Sequence, residues 1–165
     1  MALLGTIDHL HASGPGLMLC SPEAVESLEE GSDTMPAGGD LREPLRSLVS
    51  SQRVVLLQTG SPQLYYGIEV HDGPPEETGA AARCRFGMHI EGGVLWARDG
   101  DDPMKWERMP DTIKPVPLLD GYYSVDALWI PNDQKGVMDI RLYFAFATAP
   151  LPGDGRPELP YRAPE

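Results

Sequence analysis

Apolar and polar residues alternate with a period of two through much of residues 115–147, and this pattern constrains the fold more than any other feature of the chain. In its last run, Asp139, Arg141 and Tyr143 share one face. The opposite face carries five apolar side chains: Met138, Ile140, Leu142, Phe144 and Phe146. Successive side chains of a β-strand point to opposite faces, whereas a helix repeats about every 3.6 residues. The run is therefore predicted to be a core strand.

The run before it, residues 122–130, alternates in the same way, with Asp126 as the charge that marks its solvent face. Asp120 and Gly121 precede it as a turn signal, because glycine tolerates the positive φ of a primed hairpin turn. Pro131 ends it, since proline cannot donate a hydrogen bond to a neighbouring strand. Residues 115–147 are thus predicted to form three consecutive strands.

Similar runs recur along the rest of the chain, separated by turn signals every 8–12 residues or so. Gly92-Gly93 is interpreted as a hairpin turn, and residues 53–59 form a continuous apolar run that suits a central strand. The other predicted strands cover residues 4–10, 16–20, 63–71, 82–91, 94–96 and 104–108. Together they predict a mainly β protein, an antiparallel β-sandwich of about eight to nine strands with one short N-terminal helix.

That helix is expected to begin at Ser21, with Pro22 in its first turn, and to end near Gly31. Residues 40–51 are ambiguous, because Leu45 and Leu48 have near-helical spacing while Pro44 sits early in the run, and they are predicted to form a short helix. Residues 1–149 are predicted to form a single β-sandwich domain. Residues 150–165 contain five prolines and little apolar surface, and they are predicted to form a flexible tail.

Composition limits where the protein acts and what it binds. The chain has no apolar run of about 18 residues and no basic leader at its start, so neither a membrane span nor a signal peptide is expected. Two cysteines do not form a disulfide framework, and a cytoplasmic location is predicted. The net charge of −12 disfavours direct contact with nucleic acid or anionic membranes. It serves either solubility or attraction of a basic partner.

No pattern in the chain spells out a catalytic centre, and the protein is expected not to be an enzyme. His9 and His11 could share a metal on one strand face, but solvent-facing histidines explain them more simply. His89 with Glu91 could act as an acid–base pair, although cross-strand pairing with Arg83 or Arg85 is the simpler interpretation. His71-Asp72 is a similar candidate. No metal and no cofactor are predicted.

A binding surface is easier to propose, because large aromatic residues ringed by acids are typical of protein–protein interfaces. The aromatic side chains are too numerous for all of them to be interior. The residues proposed for partner binding are acids and aromatics in loops or at strand ends: Glu76, Glu77, Asp99, Asp101, Asp102, Trp106, Asp120 and Tyr122.

Several local phrases appear in an order that resembles a small bacterial family. They are SPEAVESLEEG, RVVLLQTGSPQL, RCRFGMHIEGGVLW, LLDGYYSVDALWIP and DIRLYFAFA. The family is the competence-associated inhibitor of the DNA-entry nuclease, whose β-sandwich is also used by some toxin immunity proteins. The similarity spans residues 5–147. The chain departs from the family in the acidic loop at residues 71–79, in an insertion at residues 99–103 and in its proline-rich tail.

The resemblance implies an acidic protein that occludes a basic nuclease or toxin, which agrees with the charge. No functional residue is carried over, because the likeness contains no invariant motif. The alternative is a β-sandwich module without enzymatic activity that forms a homodimer or binds a small molecule.

Overall fold

The computed structural model describes residues 2–12, 15–25, 41, 43–75, 79–99 and 115–164. Within them lie two short helices, α1 (Pro22–Val25) and α2 (Leu45–Ser50). The described strands are β1 (Leu3–Ala12), β2 (Gly16–Cys20), β3 (Val54–Gln58), β4 (Leu64–Asp72), β5 (Ala82–Ile90), β6 (Val94–Asp99), β7 (Val116–Pro117), β8 (Gly121–Ile130) and β9 (Val137–Ala147). The strand predicted at residues 104–108 lies outside the described residues.

The strands form two sheets, which confirms the predicted mainly β sandwich. The large sheet has the order β1-β4-β9-β8-β5, and the small sheet has the order β3-β2-β6-β7. All pairings between the described strands are antiparallel except that of β4 with β9, which is parallel and runs from Tyr65 opposite Val137 to Asp72 opposite Phe144. The predicted antiparallel sandwich is therefore confirmed, and the structure adds this one parallel pair of strands. The short β8–β9 connection fixes the direction of β9, and β9 then docks beside a distant strand that runs the same way.

The predicted alternation of faces is confirmed in the large sheet. Its inner face packs on the inner face of the small sheet and forms one continuous core. Four strands of the large sheet, β4, β5, β8 and β9, contribute alternate residues to this core. These buried residues are Leu64, Tyr66, Ile68, Val70, Phe86, Met88, Ile90, Tyr123, Val125, Ala127, Trp129, Met138, Ile140, Leu142 and Phe144. Phe146 departs from the pattern, because its side chain is 62% exposed at the end of β9.

Asp126 is buried, so the prediction that it marks the solvent face is wrong. Its carboxylate accepts hydrogen bonds from Arg85 Nε at 3.0 Å and Arg83 Nη2 at 3.3 Å, both from the neighbouring strand β5. Two guanidinium groups compensate for the loss of water around the carboxylate. The sequence shows the three charges but not the register that places Asp126 opposite Arg85.

β3 lies at an edge of the small sheet, so its prediction as a central strand is also corrected. Its apolar residues are needed on both faces: Val55 and Leu57 face the sandwich core, whereas Val54 and Leu56 pack in a second cluster with residues of α1 and α2. Burial of both faces produces the continuous apolar run that is usually read as a central strand.

The outer edge of β3 is covered by residues 155–161, here called the C-terminal strap. The Gln58 amide donates to the Pro157 carbonyl, and the Leu159 amide donates back to Gln58, each at 2.8 Å. Leu159 is fully buried in the sandwich core, and Tyr161 packs on Trp129 with ring centroids 5.4 Å apart. The sequence predicts a flexible tail here, whereas the structure describes a strap against β3. A single buried leucine and the edge groups of β3 supply its contacts.

The helices agree with the sequence as far as they are described. α1 begins at Pro22 and Ala24 is buried, while the rest of the predicted helix, residues 26–31, lies outside the described residues. α2 resolves the ambiguous stretch as a short helix that buries Leu45, Leu48 and Val49. In the part of the chain that the structure describes, no helix is long and apolar enough to cross a membrane.

Candidate partner-binding groove

An apolar groove of about 710 Å³ opens at one end of the sandwich. It lies where β1 and β4 meet the ends of β8 and β9 and two connecting turns. Its lining comes from six separate stretches of chain: Leu4, Asp72, Gly92, Gly93, Pro117, Leu118, Leu119, Asp120, Tyr123 and Phe146. Apolar residues predominate, and the two charged residues in the lining are both acidic.

The groove is built by two connections that cross between the sheets. Gly92-Gly93 joins β5 of the large sheet to β6 of the small sheet, and residues 118–120 join β7 of the small sheet to β8 of the large sheet. Neither connection is therefore the hairpin turn that the sequence predicts. The glycines are needed nonetheless, because Gly92 and Gly93 have φ values of 87° and 75°, which side chains disfavour.

Hydrogen bonds between these two connections hold the groove in shape. The Leu118 amide donates to the Gly93 carbonyl at 2.9 Å. The Gly93 amide in turn donates to Oδ1 of Asp120 at 2.7 Å. Asp120 thus stabilises the Gly92-Gly93 turn and also places a negative charge at the rim of the groove.

Aromatic rings form the floor of the groove. Tyr123 and Phe146 stack with centroids 4.7 Å apart and planes inclined by 25°. A Cβ on Gly121 would lie 3.3 Å from the Phe146 ring, so the ring closes tightly over the start of β8. Leu119 is 72% exposed beside it. Two large apolar side chains, Leu119 and Phe146, are therefore presented to solvent at one place.

Carboxylates surround this apolar floor. Asp72 and Asp120 line the groove, and Glu23 lies just behind it, since a Cβ on Gly92 would be 3.0 Å from the Glu23 carboxyl carbon. Burial, and then the charges of Asp72 and Asp120, raise the pKa of Tyr123 to about 12. The Tyr123 hydroxyl donates to the Leu119 carbonyl at 2.6 Å, so it is a structural group. The arrangement is suited to binding an apolar group next to positive charge.

The structure brings only part of the predicted binding set to this groove. Asp120 lines it, whereas Tyr122 points to the opposite face of β8 and stacks on His89 with centroids 4.3 Å apart. The backbone of Asp99 pairs with Leu17 at the end of β6. The remaining candidates lie outside the described residues: Glu76, Glu77, Asp101, Asp102 and Trp106.

The apolar side chains of the groove and one of its acids, Asp72, are not among the residues that the sequence predicts for partner binding. The sequence predicts Phe146 to be in the core because it continues the alternation of β9. Leu119 immediately precedes the turn at Asp120-Gly121. A large apolar residue beside a turn is a sequence feature that could have indicated an exposed binding position. Asp72 ends β4, and nothing in the sequence shows that β4 ends beside β8 and β9.

The histidines do not converge on a catalytic centre. His9 and His11 lie on β1 and His89 lies on β5, at opposite edges of the large sheet and four strand spacings of about 4.8 Å apart. His9 occupies a bulge of β1 with a φ of 56°, and the ring of His11 packs on that of Tyr65 with centroids 4.8 Å apart. Among the described residues, no three His, Cys, Asp or Glu side chains are grouped so that they could hold a metal ion.

The two histidine–carboxylate candidates have other partners than expected. Glu91 forms an ion pair with Arg53 at 3.2 Å and lies 3.7 Å from His89 Nδ1. Its guanidinium partner is therefore Arg53, which immediately precedes β3, and not Arg83 or Arg85 of β5. His71 pairs with Glu69 at 3.1 Å. Asp72 is not its partner, because adjacent residues of a strand point to opposite faces.

These features define a two-sheet β-sandwich whose sheet crossings frame an acidic-rimmed apolar groove. The fold is shared with two solved structures. One is described as "Crocagin biosynthetic gene J": it is 19% identical with a TM-score of 0.54, and the match covers 87% of this chain and 98% of that one.

The other is ComJ from Bacillus subtilis, described as an inhibitor of the DNA-degrading activity of NucA. It is 8% identical with a TM-score of 0.50, and the match covers 87% of this chain and 94% of that one. No protein-family model matches the chain, and no curated protein matches it. The resemblance noted in the sequence is therefore confirmed at the level of the fold.

Proposed function

We propose that this protein is an acidic inhibitor or immunity-type protein that binds a basic nuclease or toxin and occludes it. The observation that carries the proposal is the end groove, where exposed Leu119 and Phe146 are flanked by Asp72 and Asp120. Interfaces of this kind combine a desolvated apolar centre with a charged rim. The proposal includes a cytoplasmic location.

The overall charge supports the same partner chemistry. A net charge of −12 attracts a cationic protein and repels nucleic acid, so the chain would compete with the nucleic acid for a nuclease without binding the nucleic acid itself. Such attraction acts mainly on the association rate and weakens as salt is added.

The fold supports an inhibitor-type role without identifying the target. ComJ has this sandwich and is described as inhibiting the DNA-degrading activity of NucA. At 8% identity the likeness concerns the fold alone, so the partner of the present protein follows from its own groove and charge. A basic enzyme that handles nucleic acid fits both.

The test is inhibition of basic nucleases or toxins encoded next to this gene. Each enzyme is titrated with the protein, and cleavage of a fluorescent DNA or RNA substrate is followed. We expect stoichiometric inhibition of one of them. Recovery of no basic enzyme in a pull-down from native cells, together with neighbouring genes that encode no toxin or nuclease, contradicts the proposal.

Two double variants separate groove charge from overall charge. D72N/D120N removes both rim carboxylates, while the amide oxygen of Asn can still accept the bond from Gly93. D133N/E158Q removes two exposed charges elsewhere, Asp133 being at the opposite end of β8. The association rate is expected to fall more in D72N/D120N than in this control, because only the first pair borders the groove.

A second candidate function is supported by the size of the groove. Its volume of about 710 Å³ falls in the range of roughly 300–1,000 Å³ that is usual for small-molecule sites. In that case the protein is a binding module for an apolar, cationic small molecule. Native mass spectrometry of the protein purified from its own cells distinguishes the two, since a retained small ligand favours this candidate and a co-purified basic protein favours the inhibitor.

A further inference from the structure

We propose that the groove receives one protruding apolar side chain of the basic partner, with a lysine or arginine on each side of it contacting Asp72 and Asp120. This inference rests on the proposed inhibitor function and specifies how that function is carried out. It names the chemistry of the anchor: a large aliphatic or aromatic residue between two cations on an exposed loop.

The first reason is that the described chain leaves the groove open. Leu119 is 72% exposed and Phe146 is 62% exposed, although both adjoin the core residues Leu118 and Tyr123. Clustered apolar exposure of this kind, rimmed by polar groups, is characteristic of interaction sites. An isolated exposed leucine would need no such explanation.

The second reason is that the groove is already in a fixed shape. The bonds from Leu118 to Gly93, from Gly93 to Asp120 and from Tyr123 to Leu119 connect its walls at 2.6–2.9 Å. The stacked rings of Tyr123 and Phe146 fix its floor. A preformed site loses little conformational entropy when an anchor enters, which favours a small number of deep contacts.

The third reason is the distribution of charge around the floor. Among the described lining residues both charged groups are carboxylates, and Glu23 adds a third carboxylate behind Gly92. An acidic peptide or an anionic lipid surface is disfavoured by this rim. A second copy of the chain is also disfavoured, since it would bring the same acids and another charge of −12 against the groove.

The experiment uses three short peptides that differ only in the central triplet, each flanked by glycines and blocked at both ends. The triplets are Lys-Phe-Lys, Glu-Phe-Glu and Lys-Gly-Lys, and binding is followed by the amide shifts of the isotope-labelled full chain in low salt. We expect Lys-Phe-Lys to bind at least about tenfold more tightly than either other peptide. Its shifts should centre on Leu118, Leu119, Gly121, Tyr123 and Phe146.

Matched variants at exposed positions test the same inference, because these substitutions leave the buried core unchanged. Leu119→Ser removes an exposed apolar side chain from the groove, whereas Leu3→Ser removes one that is 55% exposed and is not among the lining residues. Leu119→Ser should abolish the preference for phenylalanine over glycine, and D72N/D120N should reduce the preference for lysine over glutamate. Leu3→Ser should leave both preferences unchanged.

Several outcomes overturn the inference: equal binding of all three peptides, shifts centred on another surface, or a dimer in sedimentation equilibrium whose formation shifts the groove amides. The proposed function fails separately. If a nuclease is inhibited equally by wild type, Leu119→Ser and D72N/D120N, the inhibitor role stands and the groove anchor is wrong. If Lys-Phe-Lys binds as expected but no basic enzyme is inhibited, the anchor stands and the inhibitor role is wrong.

Discussion

Gly16 shows how a single residue limits the distance between two strands. A Cβ at this position would fall within contact distance of the Leu57 carbonyl oxygen on the neighbouring strand. A backbone oxygen cannot rotate away, so the two strands would have to separate. The position therefore admits glycine alone within this pairing.

We expect Gly16→Ala to destabilise the protein by about 1–3 kcal/mol, the usual cost of overpacking a buried site. Chemical denaturation of the variant measures it. Gly153→Ala is the matched control, because nothing lies within 4 Å of a Cβ there, and its free energy of unfolding should stay close to that of the wild type. Equal stability of the two variants would contradict this account.

Burial raises the pKa of both cysteine thiols. Burial, opposed by the charge of Arg98, raises the pKa of Cys20 to about 12. Burial and the charge of Asp126 raise the pKa of Cys84 to about 11. Only the thiolate is an effective nucleophile, and at pH 8 both groups are almost entirely protonated in the folded protein.

Neither thiol is therefore expected to react rapidly with Ellman's reagent at pH 8 until the chain unfolds, when both should react. The raised pKa values also mean that the stability contributed by the protonated thiols is present below the ordinary value of 9.0 and is lost as pH rises towards 11–12. The variants Cys20→Ser and Cys84→Ser assign each reaction. Fast labelling of the native protein would show the prediction to be wrong.

At the scale of elements, the C-terminal strap decides how an exposed edge is protected. An unpaired strand edge invites association with another chain. Here Leu56 and Gln58 donate to Gly155 and Pro157, and Leu159 fills the core beneath them. Prolines suit this role, because they accept hydrogen bonds through their carbonyls and donate none.

Leu159→Ala should cost about 2–5 kcal/mol of stability, as for other fully buried leucines. Glu158→Ala, which alters the exposed neighbouring side chain, should cost far less. Hydrogen exchange adds an independent measurement: the amides of Leu159 and Tyr161, which donate to Gln58 and Thr59, should be protected. Rapid exchange at both amides would favour the flexible tail that the sequence predicts.

At the scale of the whole molecule, the net charge of −12 works against compactness. Screening by salt reduces this repulsion over a Debye length of about 10 Å at 0.1 M ionic strength. The same screening weakens the ion pairs that the described residues form at the surface, which contribute little individually. The balance favours stabilisation by salt.

The melting temperature should therefore rise when NaCl is increased from about 0.01 M to about 0.15 M, where screening becomes strong. Differential scanning calorimetry measures the shift, and sucrose at equal osmolality controls for solute effects other than charge. Affinity for a basic partner should fall over the same range. A melting temperature that falls with salt would mean that native ion pairs outweigh the repulsion.

Much of the fold follows from local pattern. The alternation in residues 122–130 and 138–144 determined both the strands and their inner faces, because burying one face of a strand requires apolar residues at every second position. Local sequence signals likewise predicted the glycine-containing turns, and they predicted where α1 begins. They also predicted a short helix near Leu45.

Tertiary structure alone decided which strands become neighbours and where each run ends relative to the core. Asp126 is buried because register brings it opposite Arg85, and β3 is apolar although it is an edge strand because helices and a strap cover it. Gly92-Gly93 and Asp120-Gly121 were recognisable as turns, but their crossing from sheet to sheet was not. The groove exists only because those crossings meet, so its acids and exposed apolar side chains come from stretches that are far apart in the chain. Local periodicity records which side of a strand is buried, and it contains no information about what lies beyond the strand's end.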